Sequence, residues 1–324
     1  MHEFAWIDEL RRRTPPHPRV PIGIGDDAAL LDLSVSGRAL VTTDMLMEGI
    51  DFVLPNTPWP PAGREHLADI RRATPPEVGR KALAVNLSDI AAMAGVPRAA
   101  FVSVALPRNG GGELARGLWE GLAPLAREFD VALAGGDTNS WDGPLVISIT
   151  LIGEPGQRGA VRRSGAKPGD ALFATGEFGG SLADWHLTFT PRVREALALA
   201  ERFDLHALID TSDGLARDLG HICDESGVGV TLFADRIPIR AAARFGAASD
   251  RAALDRALGD GEDFELLLAV APEHAAEIER LSLSEAIPCR LKNIGHFTAE
   301  RERKLIFNDG RSESLENKGW EHVL

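Results

Sequence analysis

The sequence predicts an α/β (α+β) protein built as two consecutive domains. Three observations carry this. β-type runs and helix-period stretches alternate through both halves. The 324 residues leave room for two interiors. A turn at Glu154-Pro155-Gly156 separates the halves, so residues 1–154 form one expected domain and residues 155–324 the other.

Residues 3–13 read as a short helix, followed by the Pro-rich stretch Thr14 to Pro21 and by Gly23-Ile24-Gly25-Asp26-Asp27. Ala39 to Thr43 is a short β-type run ending at Asp44, and Pro55 to Pro61 is loop. Val78, Ala82, Val85, Asp89 and Met93 recur at helical spacing, and Gly95 and Pro97 stop that helix. Phe101 to Leu106 is strand-like and Leu114 to Phe129 helical. Val131 to Ala134 is a strand ending in Gly135-Gly136-Asp137, and Leu145 to Ile152 is a buried strand. In the second half, strands are expected at Ala171 to Thr175, Leu205 to Ile209, Val228 to Phe233 and Phe264 to Val270. Helices are expected from Asp213 to about Glu225 and over Pro272 to Leu281, and Gly176 to Ser181 is a glycine-containing loop.

Composition narrows the function. A net charge of −13 argues against nucleic acid or an anionic membrane surface as partner, because both need a basic face. Phosphorylated small molecules remain, provided divalent cations stand between their phosphates and the acidic residues. Apolar runs such as Leu145 to Ile152 are too short to span a bilayer. Glu3, Asp8 and Glu9 occupy the place where a secretion signal would be apolar, so a cytoplasmic protein is expected. Cys223 and Cys289 form no metal or redox spacing and read as buried thiols; the nine histidines are scattered and read as surface or structural.

The chemistry-bearing feature is a set of aspartates. Asp27, Asp44, Asp137 and Asp210 follow or end short β-type runs or glycine turns, and Asp213 begins a helix. Asp89 sits inside an otherwise apolar helix among Leu87, Ile90, Ala91 and Met93. Carboxylates at element ends can converge on one cleft and offer the hard oxygens that Mg²⁺ prefers. Each also has a plainer reading. Asp213 fits a helix N-cap, and Asp27 and Asp137 fit turns beside glycine. Asp89 is the hardest to explain without a site, because a lone buried carboxylate is costly unless paired or metal-bound. No Gly-x-x-x-x-Gly-Lys-Ser/Thr loop occurs, and two carboxylates inside Gly23-Ile24-Gly25-Asp26-Asp27-Ala28 fit a dinucleotide loop poorly.

The motifs together resemble the thiamine-monophosphate kinase family. They are Gly25-Asp26-Asp27-Ala28-Ala29, Thr42 to Gly49, Gly79 to Met93 and Gly135-Gly136-Asp137-Thr138, then Arg163 to Asp170, Asp210 to Leu215, Gly261 to Leu266 and Gly319-Trp320-Glu321-His322. They keep their order over nearly the whole chain. The resemblance implies an aminoimidazole ribonucleotide synthetase-like fold, with an N-terminal domain that dimerises through its sheet. It implies a cytoplasmic homodimer that uses ATP and Mg²⁺ to convert thiamine monophosphate to thiamine diphosphate. By similarity Asp27, Thr42, Thr43, Asp44, Asp89, Asp137, Asp210 and Asp213 would hold several Mg²⁺ ions, with Asp89, Asp137 and Asp213 central to catalysis. Gly136, Asp137, Arg163 and Ser212 would contact ATP; Asp51, Glu262 and Trp320 would face the acceptor. Trp320 equally fits a tryptophan covering an apolar patch. Asp51, in Ile50-Asp51-Phe52, stands where the family usually has His. A relative with another acceptor is the alternative reading. Selenophosphate synthetase and the hydrogenase-maturation member are disfavoured, since the chain has no reactive Cys near its start and ends in Leu324.

Overall fold

The computed structural model describes residues 11–12, 17–18, 20–23, 25–33, 37–57, 70–282, 287, 289–315 and 319–320. The helix expected over 3–13 lies outside them except for Arg11 and Arg12, which are helical; residues 58–61 of the expected loop also lie outside.

Strands β1 (Ala29–Asp32), β2 (Arg38–Met47), β3 (Gly95–Pro107), β4 (Ala132–Trp141) and β5 (Val146–Pro155) form a five-stranded sheet of order β1-β2-β5-β3-β4. All its pairs are antiparallel except β3 with β4. The central strand β5 alternates: Ile147, Ile149 and Leu151 are buried on one face, while Ser148 and Thr150 stay half-exposed on the other. Four of these strands run further than the sequence suggests: β3 begins at Gly95 instead of Phe101, β5 ends at Pro155 instead of Ile152, and β2 and β4 are extended at their ends. β2 continues through Asp44 because Met45 and Met47 keep the ladder to Ser148 and Val146. β4 continues through Gly136 and Asp137 because β3 offers it a parallel edge as far as Pro107.

Helix α1 (Pro75–Ala92) lies on the buried face of this sheet. Thr74 precedes it, and the Glu77 carboxylate accepts from the Thr74 N–H at 2.8 Å, so the first turn is capped from within. Apolar residues lie all round this helix, and 13 of its 18 residues are buried, Lys81, Asn86 and Ser88 among them, so these three must find partners inside the protein. Helix α2 (Gly111–Glu128) crosses over it in backbone contact. A Cβ on Gly79 would come within 2.0 Å of the Leu118 carbonyl oxygen, and one on Gly121 within 1.7 Å of that of Pro76.

The second sheet contains β6 (Ala171–Thr175), β7 (Leu205–Asp210), β8 (Gly229–Phe233), β9 (Leu266–Val270), β10 (Leu291–Thr298), β11 (Arg303–Ile306) and β12 (Ser312–Ser314), in the order β12-β11-β8-β10-β6-β9-β7. Helices α3 (Val193–Arg202), α4 (Leu215–Ser226), α5 (Asp250–Gly259) and α6 (Ala275–Ser282) accompany it. β6 and β9 are buried along their whole length. One face packs with α4 and α5. The other shares a continuous apolar core with the first sheet, in which Leu83 and Leu87 of α1 join Phe173, Phe264 and Leu266. α1 therefore sits between the sheets and touches β7 and α3 as well as β2 and β5. No helix among the described residues is long and apolar enough to cross a membrane. Cys223 is buried and Cys289 half-buried; both are free thiols, and burial pushes each up to about 12.

Candidate active site

The two sheets bring together carboxylates that are far apart in sequence. Asp27 comes from the turn before β1, Asp89 from the last turns of α1 and Asp210 from the end of β7; one oxygen of each lies within 4.8 Å of the others. Asp44 points inward from β2, and its neighbour Thr42 donates its hydroxyl to Asp89. Ser88 donates to Asp210 at 2.5 Å, tying α1 to the second sheet. Arg163 closes the group with a two-pronged contact, its Nε and a terminal nitrogen donating to Asp27 at 2.9 and 2.8 Å.

Electrostatics marks this as a costly arrangement. Burial, then the neighbouring charges of Asp44, Asp210 and Asp27, holds Asp89 well above the ordinary carboxylate range. Burial and then Asp27 do the same to Asp210, against the lowering influence of Ser88 and Arg163. Asp44 is raised to about 6, mainly by burial. Asp26, adjoining Asp27, is also raised to about 6 by burial and by Asp27. One Asp44 oxygen is buried without a hydrogen-bond partner. Orphaned and crowded carboxylate oxygens of this kind suit a hard divalent cation, which would reverse the sign of the local field.

A cleft of about 290 Å³ opens from this cluster and is lined by Asp44, Asp89, Asp51, Ser212, Asp213, Glu262 and Trp320, among others. The Trp320 backbone N–H donates to the Asp213 carbonyl at 2.9 Å, which holds the Trp320 main chain at the rim; Glu321 and His322 lie outside the described residues. Asp213 forms a second acidic group with Asp218 and His221 of α4, again with ligand atoms within 4.8 Å. Asp218 accepts from the N–H groups of Asp213 and Gly214 at 3.1 and 3.0 Å, so it shapes the turn that presents Asp213.

Three expected site residues are placed elsewhere. Ladder partners point to the same side of a sheet. Thr43 is in register with Thr150 and Phe101, on the face turned away from α1, and its hydroxyl is bonded to Thr150 at 3.1 Å. Asp137 stands in the row of Ser103, Ser148 and Met45 on that same outer face, and is exposed. Gly136 shares the row of Asp44, but three strands away, about 14 Å at ordinary strand spacing. The structure thus gathers Asp27, Thr42, Asp44, Asp89, Asp210 and Arg163, and places Asp51, Ser212, Asp213, Glu262 and Trp320 along the adjoining cleft. It does not bring the Thr43 hydroxyl, Gly136 or Asp137 to them.

Sequence reasoning passed over Lys81, Asp26, Asp218 and His221. Lys81 is fully buried on α1, where the argument used for Asp89, a charge in an apolar helix, applies equally. His186 is also fully buried, and burial pushes its imidazole down to about 3. His221 is lowered to about 4, by burial first and Arg163 second; it is half-buried and adjoins the site.

Comparison with known proteins adds to this geometry. The model of the AIR synthase related protein N-terminal domain matches residues 25–154, and that of the C-terminal domain matches residues 170–308. The thiamine-monophosphate kinase of Rhodopirellula baltica is 43% identical over 285 residues, covering 86% of this chain and 84% of that protein. The Bacillus subtilis thiamine-monophosphate kinase is 33% identical and covers 99% of both chains. Among solved structures, AaThiL complexed with AMPPCP and TMP superposes with a TM-score of 0.80 at 25% identity, over 99% of this chain and 97% of that one. Thiamine-monophosphate kinase from Stenotrophomonas maltophilia K279a gives a TM-score of 0.71 at 33% identity, over 97% and 99%.

Proposed function

The chain belongs to the thiamine-monophosphate kinases of the AIR synthase related family, and from that premise we propose how its cleft works. Its reaction is phosphoryl transfer from ATP to thiamine monophosphate, giving ADP and thiamine diphosphate. The fold is the two-domain arrangement of that family, and we divide it at residues 154 and 155. The observation that carries the site assignment is the meeting of Asp27, Asp89 and Asp210, with the orphaned oxygen of Asp44, at one end of a cleft whose other end holds Asp51, Glu262 and Trp320.

In this reading Asp27, Thr42, Asp44, Asp89, Asp210 and Asp213 hold Mg²⁺. Bound there, the metal would neutralise the facing phosphates of two polyanions and polarise the transferring group. The protein's own part is alignment. The attacking oxygen belongs to a phosphate, so no dedicated base is required, and rate comes from placing donor and acceptor in line. Arg163 and Ser212 border the nucleotide's phosphates. Gly136 contacts ATP further out, since about 14 Å is a separation a nucleoside triphosphate with its metals can bridge; Asp137, on the outer face of the edge strand β4, is kept as a proposed ATP contact and metal ligand reached around that edge. The Thr43 side chain is set aside, because its hydroxyl is committed to Thr150. Trp320 offers an aromatic face to the cationic end of the acceptor.

We further infer a cytoplasmic homodimer. The outer face of the first sheet exposes Met45, Phe101 and Trp141 at 59%, 41% and 44%, and a second copy across that face would cover them. The deciding assay incubates the purified protein with Mg-ATP and thiamine monophosphate. Thiamine diphosphate should appear, and EDTA or omission of the acceptor should abolish it. ATP binding without product would move the assignment to a relative with another acceptor, with Asp51 as the first position to examine.

A further inference from the structure

Lys81 is a buried cation with no place in the scheme above. It lies in the first half of α1 among Val78, Ala82 and Leu83, its side chain wholly inaccessible. Burying an ammonium is expensive, and an apolar residue of similar length would fill the space more cheaply. What the charge supplies is a link between two loops. Its Nζ donates to the backbone carbonyl of Asp51 at 2.7 Å and to the carboxylate of Glu262. Asp51 follows β2 in the first sheet's half of the chain; Glu262 precedes β9 in the second.

The Glu262 loop is itself held under constraint. Glu262 and Phe264 have φ of +58° and +49°, a region that residues with side chains seldom adopt. Asp263 between them is fully buried and bound by Arg240, Ser181 and the Gly179 N–H. Backbone of this kind persists only where its surroundings over-determine it, and it aims the Glu262 side chain at Lys81 and the cleft. On α1, Lys81, Val85 and Asp89 follow at intervals of four and so share one face. Val85 and Asp89 line the cleft. Eight residues of helix set Lys81 about 12 Å from Asp89 along the axis.

We propose that Lys81 is the positioning residue of the acceptor end, fixing Asp51 and Glu262 at a set distance from the carboxylate cluster through the rigid span of α1. The inference rests on the kinase reading and on Glu262 facing the acceptor. Lys81 touches neither substrate; it acts through Glu262 and the Asp51 turn.

The test compares the full-length protein with Lys81→Met, Lys81→Gln, Glu262→Gln and the Lys81→Met/Glu262→Gln double variant, with turnover of thiamine monophosphate by the unsubstituted protein measured first. Lys81→Met should raise KM for thiamine monophosphate at least tenfold. KM for ATP and the Mg²⁺ concentration at half-maximal rate should move less than twofold. Lys81→Gln, which keeps a donor for the Asp51 carbonyl, should fall between. The double variant should be no worse than the poorer single variant, since both act on one contact. Unchanged acceptor KM, equal losses for ATP and acceptor, or multiplying effects in the double variant would each overturn the proposal. So would loss of folding in both Lys81 variants, which would assign the residue to the fold. No turnover by the unsubstituted protein would instead remove the kinase reading, and the proposal with it.

Discussion

The two faces of the N-terminal sheet carry the same residue type to opposite ends of physical chemistry. On the inner face Asp44 meets Asp89 beneath α1, in a setting where burial and like charges hold both above their ordinary range. On the outer face Asp137 stands exposed on the edge strand β4. Both belong to motifs of one family and both are proposed to hold metal. The difference teaches that one site can draw on carboxylates prepared at a cost to the fold and on others that cost nothing until substrate arrives. Asp89→Asn and Asp137→Asn separate the two. Each should lower turnover about 10²- to 10³-fold, the scale at which a preorganised charge contact is lost. Only Asp89→Asn should raise the melting temperature of the metal-free protein, because only Asp89 is removed from a crowd of buried negative charges. Calorimetry in EDTA beside the activity assay reads both. A stabilised Asp137→Asn would show that β4 joins the cluster without substrate.

The inner face should also reveal itself through pH. Asp26 and Asp44 titrate near 6 in the folded protein and near 4 when unfolded. Between these values the folded state binds more protons, so stability is fully present below about pH 4 and is lost as pH rises through about 6. The metal-free protein should therefore lose several degrees of melting temperature from pH 4.5 to 7, on the scale of about 1–3 kcal/mol. Saturating Mg²⁺ should flatten or reverse the slope, because the cation favours the ionised carboxylates. The buried His186 and His221, neutral in the folded protein, oppose this slope, so the reading is the difference from Asp44→Asn: a slope unchanged in that variant would mean that Asp44 is not desolvated in solution.

Part of this was legible beforehand. Asp89 announced itself as a carboxylate in an apolar helical period, and the α1 interval from Val78 to Met93 falls almost wholly on the observed helix. The two-domain fold followed from β-type and helical stretches alternating through both halves, and the acidic cleft from aspartates at element ends. Pattern could not separate the faces of a strand. Thr42-Thr43-Asp44 alternates inward and outward, and only the ladder to β5 tells which residue meets α1. The glycines before Asp137 read as the end of a strand, although parallel pairing with β3 carries β4 on to Trp141. Lys81 was missed because a lysine in a helix is ordinarily a solvated one; α1 as a whole is enclosed by α2, β7 and α3, and the partners of Lys81, Asp51 and Glu262, come from distant sequence. The strands β10 to β12 carry mixed polar and apolar residues and sent no periodic signal.

The smallest expected effect lies where the two faces meet. β2 leaves the sheet at Met47, an outward residue, and the next turn carries Asp51 to the cleft. The Asp51 carboxylate accepts from the Met47 N–H at 2.7 Å, while its carbonyl accepts from Lys81. Half of this residue's work is thus done by backbone, which no substitution removes. Asp51→His, which installs the residue usual in the family, loses the carboxylate cap but keeps the Lys81 contact. One hydrogen bond in a half-exposed setting contributes about 0.5–1.5 kcal/mol net. KM for thiamine monophosphate should accordingly change about three- to tenfold, with kcat and KM for ATP unaltered. A fall in KM would mean that the imidazole contacts the acceptor better than the carboxylate does. A rise beyond a hundredfold would mean that Asp51 binds the acceptor's cationic ring directly, as its charge allows. The second result would pass the substrate-recognising role from the Glu262 loop to the turn after β2, and would make this chain's departure from the family its main determinant of acceptor binding.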